Sequence, residues 1–424
     1  MIRRRDLLRA LGDHGLADWV LVEREQEVAI ADAGLRRAER WQRWTLTVHH
    51  DAATGRGSAR VAIDAADGDA NAAVLQAVTL ARASIGNAWV TRPPAAPARV
   101  QLIELGLAKG DLLDAAATLA HVEQPDGSTV DVRATVLRER VNVVTRQGLR
   151  TDWLATSLRV DARVRAHGAL LVVTREARRR EDLGLAPAIK TAVDDLQLLA
   201  TAKTVAAGPA AIVLRTDALL HDGLGMWAVF VAQADAVVER MGLTRYRERA
   251  PVAPGAEQGA LTITSNGALD YGIASAPVGD EGEAIRRFPL VERGIAAGLG
   301  LTPREGSLRG RDPNGGVRNL VVEPGTWSGA IDMAGPVRVI EVKRLRSLSL
   351  DPYTGDASAE ILLGIEHAKG TSTPFAGGSL RIDAIAALAR AKRSTDVVTR
   401  GLYRGPSAVL IEGSQLFDSS TRPG

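Results

Sequence analysis

The chain has 424 residues, of which 46% are hydrophobic and 24% charged, a composition typical of soluble globular proteins and long enough for two domains with separate cores. It contains no cysteine, which excludes disulfides, thiolate nucleophiles and thiolate metal ligands and favours a cytoplasmic location. The formal charge is only +3, and no basic stretch is interleaved with aromatic residues, so no nucleic-acid partner is expected. No run of about eighteen apolar residues indicates a membrane span, and no membrane partner is expected.

The first part of the chain alternates helical and strand patterns. Its basic start predicts a short amphipathic helix instead of a signal peptide, because Asp6, Arg9 and Asp13 interrupt the apolar residues. His49 and His50 are adjacent on a strand and point to opposite faces, which favours structural or exposed roles over a shared metal. Strands are predicted at 18–23, 44–48, 59–63 and 100–104, with a turn at 55–57, a loop at 91–98, and helices at 71–86, capped by Asn71, and at 111–121.

A period of two dominates residues 129–174 and predicts an antiparallel meander with one wet face and turns near 138–140 and 147–148. A helix follows at 187–203, and Gly208-Pro209 then interrupts the pattern. We therefore predict an α+β protein with two domains. Residues 1–207 would form an N-terminal α/β-type domain with a long antiparallel sheet, and residues 208–424 a β-rich C-terminal domain.

The most informative stretch is 210–242, which predicts a strand that leads into a helix. Ile212, Val213 and Leu214 form a short, largely β-branched run. Apolar residues then recur at helical spacing from Met226 to Met241, and Gly242 ends the pattern. The glycines of the junction allow a tight turn, and Asp222 is expected to cap the helix after it.

The junction resembles, in altered form, the metal motif of the TldD/PmbA family of metallopeptidases, once called modulators of DNA gyrase. Active members of that family carry His-Glu-x-x-x-His and a distant cysteine, and the aligned residues here are His221, Asp222 and Met226. Asp222 is shorter than glutamate by about 1.5 Å, and the thioether of Met226 suits Cu(I) better than zinc. Since only one of the three ligands remains, we predict no metal-binding residues and assign no catalytic residue, and His221, Asp222 and Met226 are the remnant of the motif.

Several later segments match the family in order and spacing. The loop at 245–257 is polar, and 261–273 is a hairpin candidate with Asn266-Gly267 at its turn. The last strand is expected within 401–413, without the preceding cysteine. The matching segments are Gly279–Gly282, Phe288–Gly294, Arg318–Leu320, Glu323–Thr326, Asp351–Asp356, Gly364–Gly370 and Thr373–Ile382.

The resemblance implies dimers that enclose a peptide-accepting cavity, in which TldD-like subunits carry zinc and TldE/PmbA-like subunits lack the motif. By its residues this chain matches the second kind. We therefore expect a non-catalytic pseudo-enzyme subunit that acts on unfolded peptides, pairs with a catalytic TldD-like paralogue or with itself, and has no cofactor of its own, zinc being held only by the partner.

Two alternatives remain open at this point. In the first, the chain is an active hydrolase whose site is reorganised, with His221 and Asp222 joined by His367 and by acidic residues such as Asp280, Glu281 or Glu366. In the second, it is a homodimeric peptide-binding protein without catalysis.

Overall fold

The computed structural model describes residues 2–64, 69–94, 96–331 and 337–418. Its first half contains one antiparallel sheet in the strand order β3-β2-β1-β4-β5-β6. In chain order the elements are α1 (Arg4–Asp13), β1 (Asp18–Ala31), β2 (Arg36–Ala52), β3 (Gly55–Asp64), α2 (Ala70–Ala83), α3 (Leu105–Lys109), α4 (Leu112–Ala120), β4 (Ser128–Thr145), β5 (Arg150–Ala166), β6 (Ala169–Ala177) and α5 (Leu185–Ala200).

The second half contains two further sheets. In chain order the elements are β7 (Gly208–Arg215), α6 (Thr216–Leu219), α7 (Ala228–Gln233), α8 (Ala236–Arg240), α9 (Ala256–Gly259), β8 (Ile263–Asn266), β9 (Arg287–Glu292), β10 (Ile295–Ala296), α10 (Pro303–Leu308), β11 (Asn319–Val322), β12 (Val339–Leu350), β13 (Asp356–Ala368), β14 (Thr371–Phe375), β15 (Ser379–Asp383), α11 (Ala384–Arg390), β16 (Lys392–Arg393), β17 (Val397–Arg400), β18 (Tyr403–Pro406) and β19 (Ala408–Phe417).

One of these sheets closes on itself. Its order is β12-β7-β19-β15-β13-β14, and β12 also pairs with β13, so five strands form a ring. The interior of the ring belongs to the largest hydrophobic core, which includes Ile212, Ile340 and Ile361. The other sheet has the order β10-β9-β8-β11-β18-β17 and contributes Leu290, Leu320 and Tyr403 to the same core. Closure covers most of the free edges that strands in an open sheet would expose.

The two halves are joined by buried polar contacts. The Arg178 guanidinium, 7% exposed, donates to the backbone carbonyls of Gly272 and Ile273 at 2.9 and 2.8 Å. On α5, the buried carboxylate of Asp195 binds Arg344 and Lys343 of β12 at 2.8 and 3.1 Å. The predicted boundary at residues 207 and 208 lies immediately before β7.

The helices and antiparallel sheets confirm the predicted α+β class. The predicted alternation of the meander is confirmed, because Val130, Val132 and Val160 are buried while Asp131 of β4 and its partner Arg163 of β5 are exposed. His49 has the structural role that its position predicted. It is 3% exposed, lies edge-on to Trp89 with ring centroids 4.9 Å apart, and burial lowers its pKa to about 4.

Several local predictions for the first half are wrong. The β2–β3 turn comes before Gly55, and the strand expected at 100–104 is irregular extended chain. Strand β4 continues through 138–140, where a turn was expected. Helix α2 is capped by Asp69, whose carboxylate accepts the Asn71 N–H at 2.8 Å, because the cap must precede the first helical residue. The loop at 91–98 is irregular, and its residue 95 lies outside the described residues.

In the second half, the hairpin expected at 261–273 does not form. Strand β8 instead pairs with β9 and β11, which come later in the chain. The helix expected from Met226 to Met241 is divided into a short 3-10 helix at Gly225–Trp227, then α7 and α8. The division occurs because Asp235 begins a new helix, accepting the N–H groups of Val237 and Val238. None of the described helices combines the length and apolar character that a membrane crossing requires.

Candidate functional site

The junction that resembles a metal motif connects β7 to α7 through a compact turn. Strand β7 ends at Arg215, α6 makes one short helical turn, and the 3-10 helix begins at Gly225. Gly225 has a φ of +53°, and a Cβ atom there would lie 2.0 Å from the Leu219 carbonyl oxygen. A glycine is therefore required at this position, which agrees with the tight turn that the glycines of the junction predicted.

The three aligned positions lie in three different surroundings. The His221 side chain is 18% exposed, with its Nε2 3.3 Å from the Asp222 carboxylate. The Asp222 side chain is 92% exposed, and its backbone has a φ of +49°. Met226 is 0% exposed and packs in the main core. The prediction that Asp222 caps the following helix is wrong, because Leu224 occupies the cap position and the Asp222 side chain extends into solvent.

These residues do not fit the zinc ion that the family resemblance implies. A zinc site requires three or four donors arranged tetrahedrally around one point. Met226 offers only a buried thioether, and Asp222 extends into solvent. Within the described ranges, no three histidine, aspartate or glutamate side chains converge as metal ligands. The donor chemistry at this junction therefore provides no zinc-binding set.

The residues of the reorganised-site alternative are dispersed over three other contacts. Asp280 accepts from Arg24 at 2.8 Å, and Glu366 accepts from Arg338 at 2.6 Å. His367 bonds to Glu341 at 2.8 Å. Glu281 lies at a cavity between the two halves. The structure therefore does not bring these side chains together with His221.

The cavity between the halves has a volume of about 220 Å³ and contains several carboxylates. Asp18 is 7% exposed and accepts from both Arg56 and Thr91. Burial, together with the nearby charge of Glu283, raises the pKa of Glu281 to about 7. Since Glu281 has this pKa, its carboxyl group can exchange a proton near neutral pH.

Sequence reasoning missed an ionic cluster immediately before the junction. Asp217 on α6 contacts Arg344 of β12 at 2.8 Å, Arg175 of β6 at 3.6 Å and Arg400 of β17. These arginines hold the pKa of Asp217 below its ordinary value although burial opposes this. The cluster joins four elements, and no sequence signal connects them because they are far apart in the chain.

A second missed arrangement crosses four strands on the outer side of the ring. His367 of β13 bonds through Nε2 to Glu341 Oε2 at 2.8 Å and through Nδ1 to Ser372 Oγ at 2.9 Å. Arg215, at the end of β7, donates to Glu341 Oε1 at 2.6 Å. His367 is 8% and Glu341 9% exposed, whereas Ser372 lies at the surface. We call Ser372, His367, Glu341 and Arg215 the four-strand relay.

Two grooves adjoin each other on the outer side of the same sheet. The first, of about 950 Å³, is largely apolar and is lined by Val213, Trp327, Val339 and Leu410. The second, of about 1040 Å³, shares Trp327 and four further residues with the first. Its charged lining residues are Arg381, Arg390, Lys392, Arg393, Asp383 and Glu412.

The second groove follows an open part of β19. Strand β16 pairs with β19 at Val409 and Leu410, and β15 pairs with it at Leu416 and Phe417. Between them, Ile411, Ser414 and Gln415 pair with β7 on one side, with an irregularity at residues 412–413, and residues 411–415 have no neighbour among the described strands on the other side. Backbone groups of β19 are therefore accessible from this groove.

Comparison with protein families identifies the second half of the chain. Residues 223–416 match the model of the PmbA/TldA metallopeptidase C-terminal domain. A search of curated proteins gave no match.

The structure resembles solved structures over nearly its whole length. TldE from Thermococcus kodakarensis shares 15% identity and a TM-score of 0.76, with 97% of this chain and 99% of that chain covered. A protein from Bacteroides thetaiotaomicron, named as a candidate modulator of DNA gyrase, shares 15% identity and a TM-score of 0.75, with 99% and 100% covered.

A protein of the same description from Thermotoga maritima shares 15% identity and a TM-score of 0.79, with 97% and 99% covered. At this identity the likeness demonstrates a shared fold. The family match, which covers residues 223–416, assigns that part of the chain to the PmbA/TldA metallopeptidase C-terminal domain.

Proposed function

We propose that this chain is a non-catalytic, cytoplasmic subunit of a TldD/TldE-type metallopeptidase complex. In this role it would hold unfolded peptide for a zinc-bearing paralogue. The observation that carries the proposal is the separation of His221, Asp222 and Met226 into a half-buried, an exposed and a core position. A paralogue with an intact His-Glu-x-x-x-His motif would supply the complete metal site.

The open part of β19 supports a peptide-binding role. An extended peptide can add to such a strand through backbone hydrogen bonds, which demand no particular sequence and no metal. The groove beside it carries four basic and two acidic side chains. Arg393 is committed to the carbonyls of Glu323 and Gly259, and Lys392 to Glu412, whereas Arg390 remains exposed at the groove. The groove therefore favours peptides with acidic groups or a free carboxylate.

The proposal is tested by mixing the purified chain with a co-encoded paralogue that has the intact motif. We expect the chain alone to contain less than about a tenth of an equivalent of zinc, because a lone imidazole gives almost no chelate support. Light scattering should show a complex, and mass spectrometry should show that unfolded peptides are cleaved faster by the mixture than by the paralogue alone. Chelation should abolish that cleavage.

A matched pair of variants locates the peptide contact. Arg390→Glu reverses a charge at the groove and should weaken binding of an acidic fluorescent peptide by about two- to fivefold, as expected for one lost exposed charge contact. Arg9→Glu reverses an exposed charge on α1 and should leave binding unchanged. A strictly monomeric chain that leaves the paralogue's activity unchanged, or one with stoichiometric zinc, would contradict the proposal. Peptide binding by a self-paired dimer alone would favour the homodimeric alternative.

A further inference from the structure

The four-strand relay has the order of groups that activates a serine hydroxyl. Ser372 is directly opposite His367 in the β13–β14 register, and Val339 of β12 is opposite His367 on its other side. The Nδ1 and Nε2 atoms of His367 lie 2.9 Å from Ser372 Oγ and 2.8 Å from Glu341 Oε2. Both distances are within the range of a nucleophile, a base and the group that orients the base.

Glu341 determines which imidazole nitrogen carries the proton. An ionised carboxylate only accepts hydrogen bonds, so His367 Nε2–H donates to Glu341. In the neutral imidazole, Nδ1 then has a lone pair that can accept the Ser372 hydroxyl proton. Arg215, 2.6 Å from the other oxygen of Glu341, keeps that carboxylate ionised and fixed in position.

The relay lies beside an apolar groove. Val339, directly across from His367, forms part of the 950 Å³ groove with Val213, Trp327 and Leu410. Neighbouring strands are about 4.8 Å apart, so the Ser372 backbone is about 10 Å from that of Val339. An apolar acyl chain in the groove can therefore present its carbonyl carbon towards Ser372.

We propose that Ser372 is a nucleophile that takes the acyl group from esters with an apolar acyl chain. Its Oγ bonds to the carbonyl carbon while its proton passes to His367 Nδ1. The ester C–O bond then breaks, and the imidazole returns the proton to the departing alkoxide. Water attacks the acyl-serine in the same way, which releases the carboxylic acid and restores the hydroxyl group. The reaction needs neither a metal nor a partner subunit, so it does not rest on the proposed function.

The test treats the purified chain, in the presence of a chelator, with a fluorophosphonate probe and with p-nitrophenyl butyrate. We expect one fluorophosphonate adduct, mapped to Ser372 by peptide mass spectrometry, and release of p-nitrophenol above background. Ser372→Ala should lose both. Glu341→Gln should slow both by about 10²- to 10⁴-fold, as when the orienting carboxylate of a serine triad is replaced.

Ser358→Ala is the matched control, since Ser358 is an exposed serine on the same strand as His367 and lies outside the relay. It should retain wild-type labelling and turnover. Ser372 is at the surface, so its alanine variant should fold normally, and circular dichroism checks this. Absence of the Ser372 adduct in the wild-type chain, or ester hydrolysis unchanged in Ser372→Ala, would overturn the proposal.

Discussion

The chain has two places where a histidine lies beside a carboxylate, and they differ in how the pair is built. His221 and Asp222 are neighbours in sequence on a surface turn, 3.3 Å apart, and Asp222 is 92% exposed. His367 and Glu341 are on adjacent strands, 2.8 Å apart, and both are buried. Water competes for the first pair but not for the second. The first pair can therefore be recognised from adjacent residues in the sequence. The second pair, whose contact is shorter and buried, forms only through the register of the sheet.

The largest expected effect comes from restoring the family motif at the junction. Met226→His, alone or with Asp222→Glu, puts an imidazole into a core position that is 0% exposed. We expect the free energy of unfolding to fall by about 3–5 kcal/mol, because the ring nitrogens lose their water partners and the apolar packing is lost. Urea unfolding measures this loss.

Met241→His is the control, because Met241 is 63% exposed and its replacement should cost less than about 0.5 kcal/mol. The double variant should also show no chelator-sensitive peptide cleavage, since a catalytic site needs a preorganised set of ligands. A stable double variant with such activity would show that another residue already completes the site.

The next effect concerns the buried pair. Glu341→Ala removes the partner of both His367 and Arg215 and should lower the free energy of unfolding by about 2–4 kcal/mol. Glu360→Ala on β13, where the side chain is exposed, should change it by less than about 0.5 kcal/mol. Urea unfolding measures both losses. Equal losses in the free energy of unfolding would show that the His367–Glu341 contact contributes no more to stability than an exposed side chain does.

A pH series sharpens the same comparison. Although burial opposes it, hydrogen bonds from His367 and Arg215 hold the pKa of Glu341 below its ordinary value of 4.5. A lowered folded-state pKa gives stability that is complete above the unfolded value and is lost as the pH falls through the folded value. Below pH 4.5, the stability difference between wild type and Glu341→Gln should therefore shrink as the pH falls. A difference that grows as the pH falls below 4.5 would refute this assignment.

The smallest effect on the free energy of unfolding is expected for His221. His221→Ala should change the free energy of unfolding by about 0.5 kcal/mol or less, because its carboxylate neighbour is solvated and exposed ion pairs contribute little. The variant should also keep the fluorophosphonate adduct at Ser372. A loss as large as that for Glu341→Ala would place His221 in a site of its own.

The sequence predicted the features that depend on local period. Alternation over 129–174 predicted the meander, and the glycines of the junction predicted its tight turn. It did not predict that β8 would pair with β9 and β11, because pairing between distant strands depends on tertiary packing. The four-strand relay was not predicted from the sequence for the same reason. Glu341, His367 and Ser372 meet only through the register of β12, β13 and β14.

The closed ring of strands has a consequence for synthesis on the ribosome. Leu214 of β7 pairs with Val409 of β19, so the ring cannot close until β19 has emerged. Until then one edge of β7, with its apolar Ile212 and Val213, stays open to other chains. Contacts so distant in sequence also form slowly. A nascent chain paused before residue 408 is therefore a natural client for chaperones, and transcripts truncated there should yield aggregated protein.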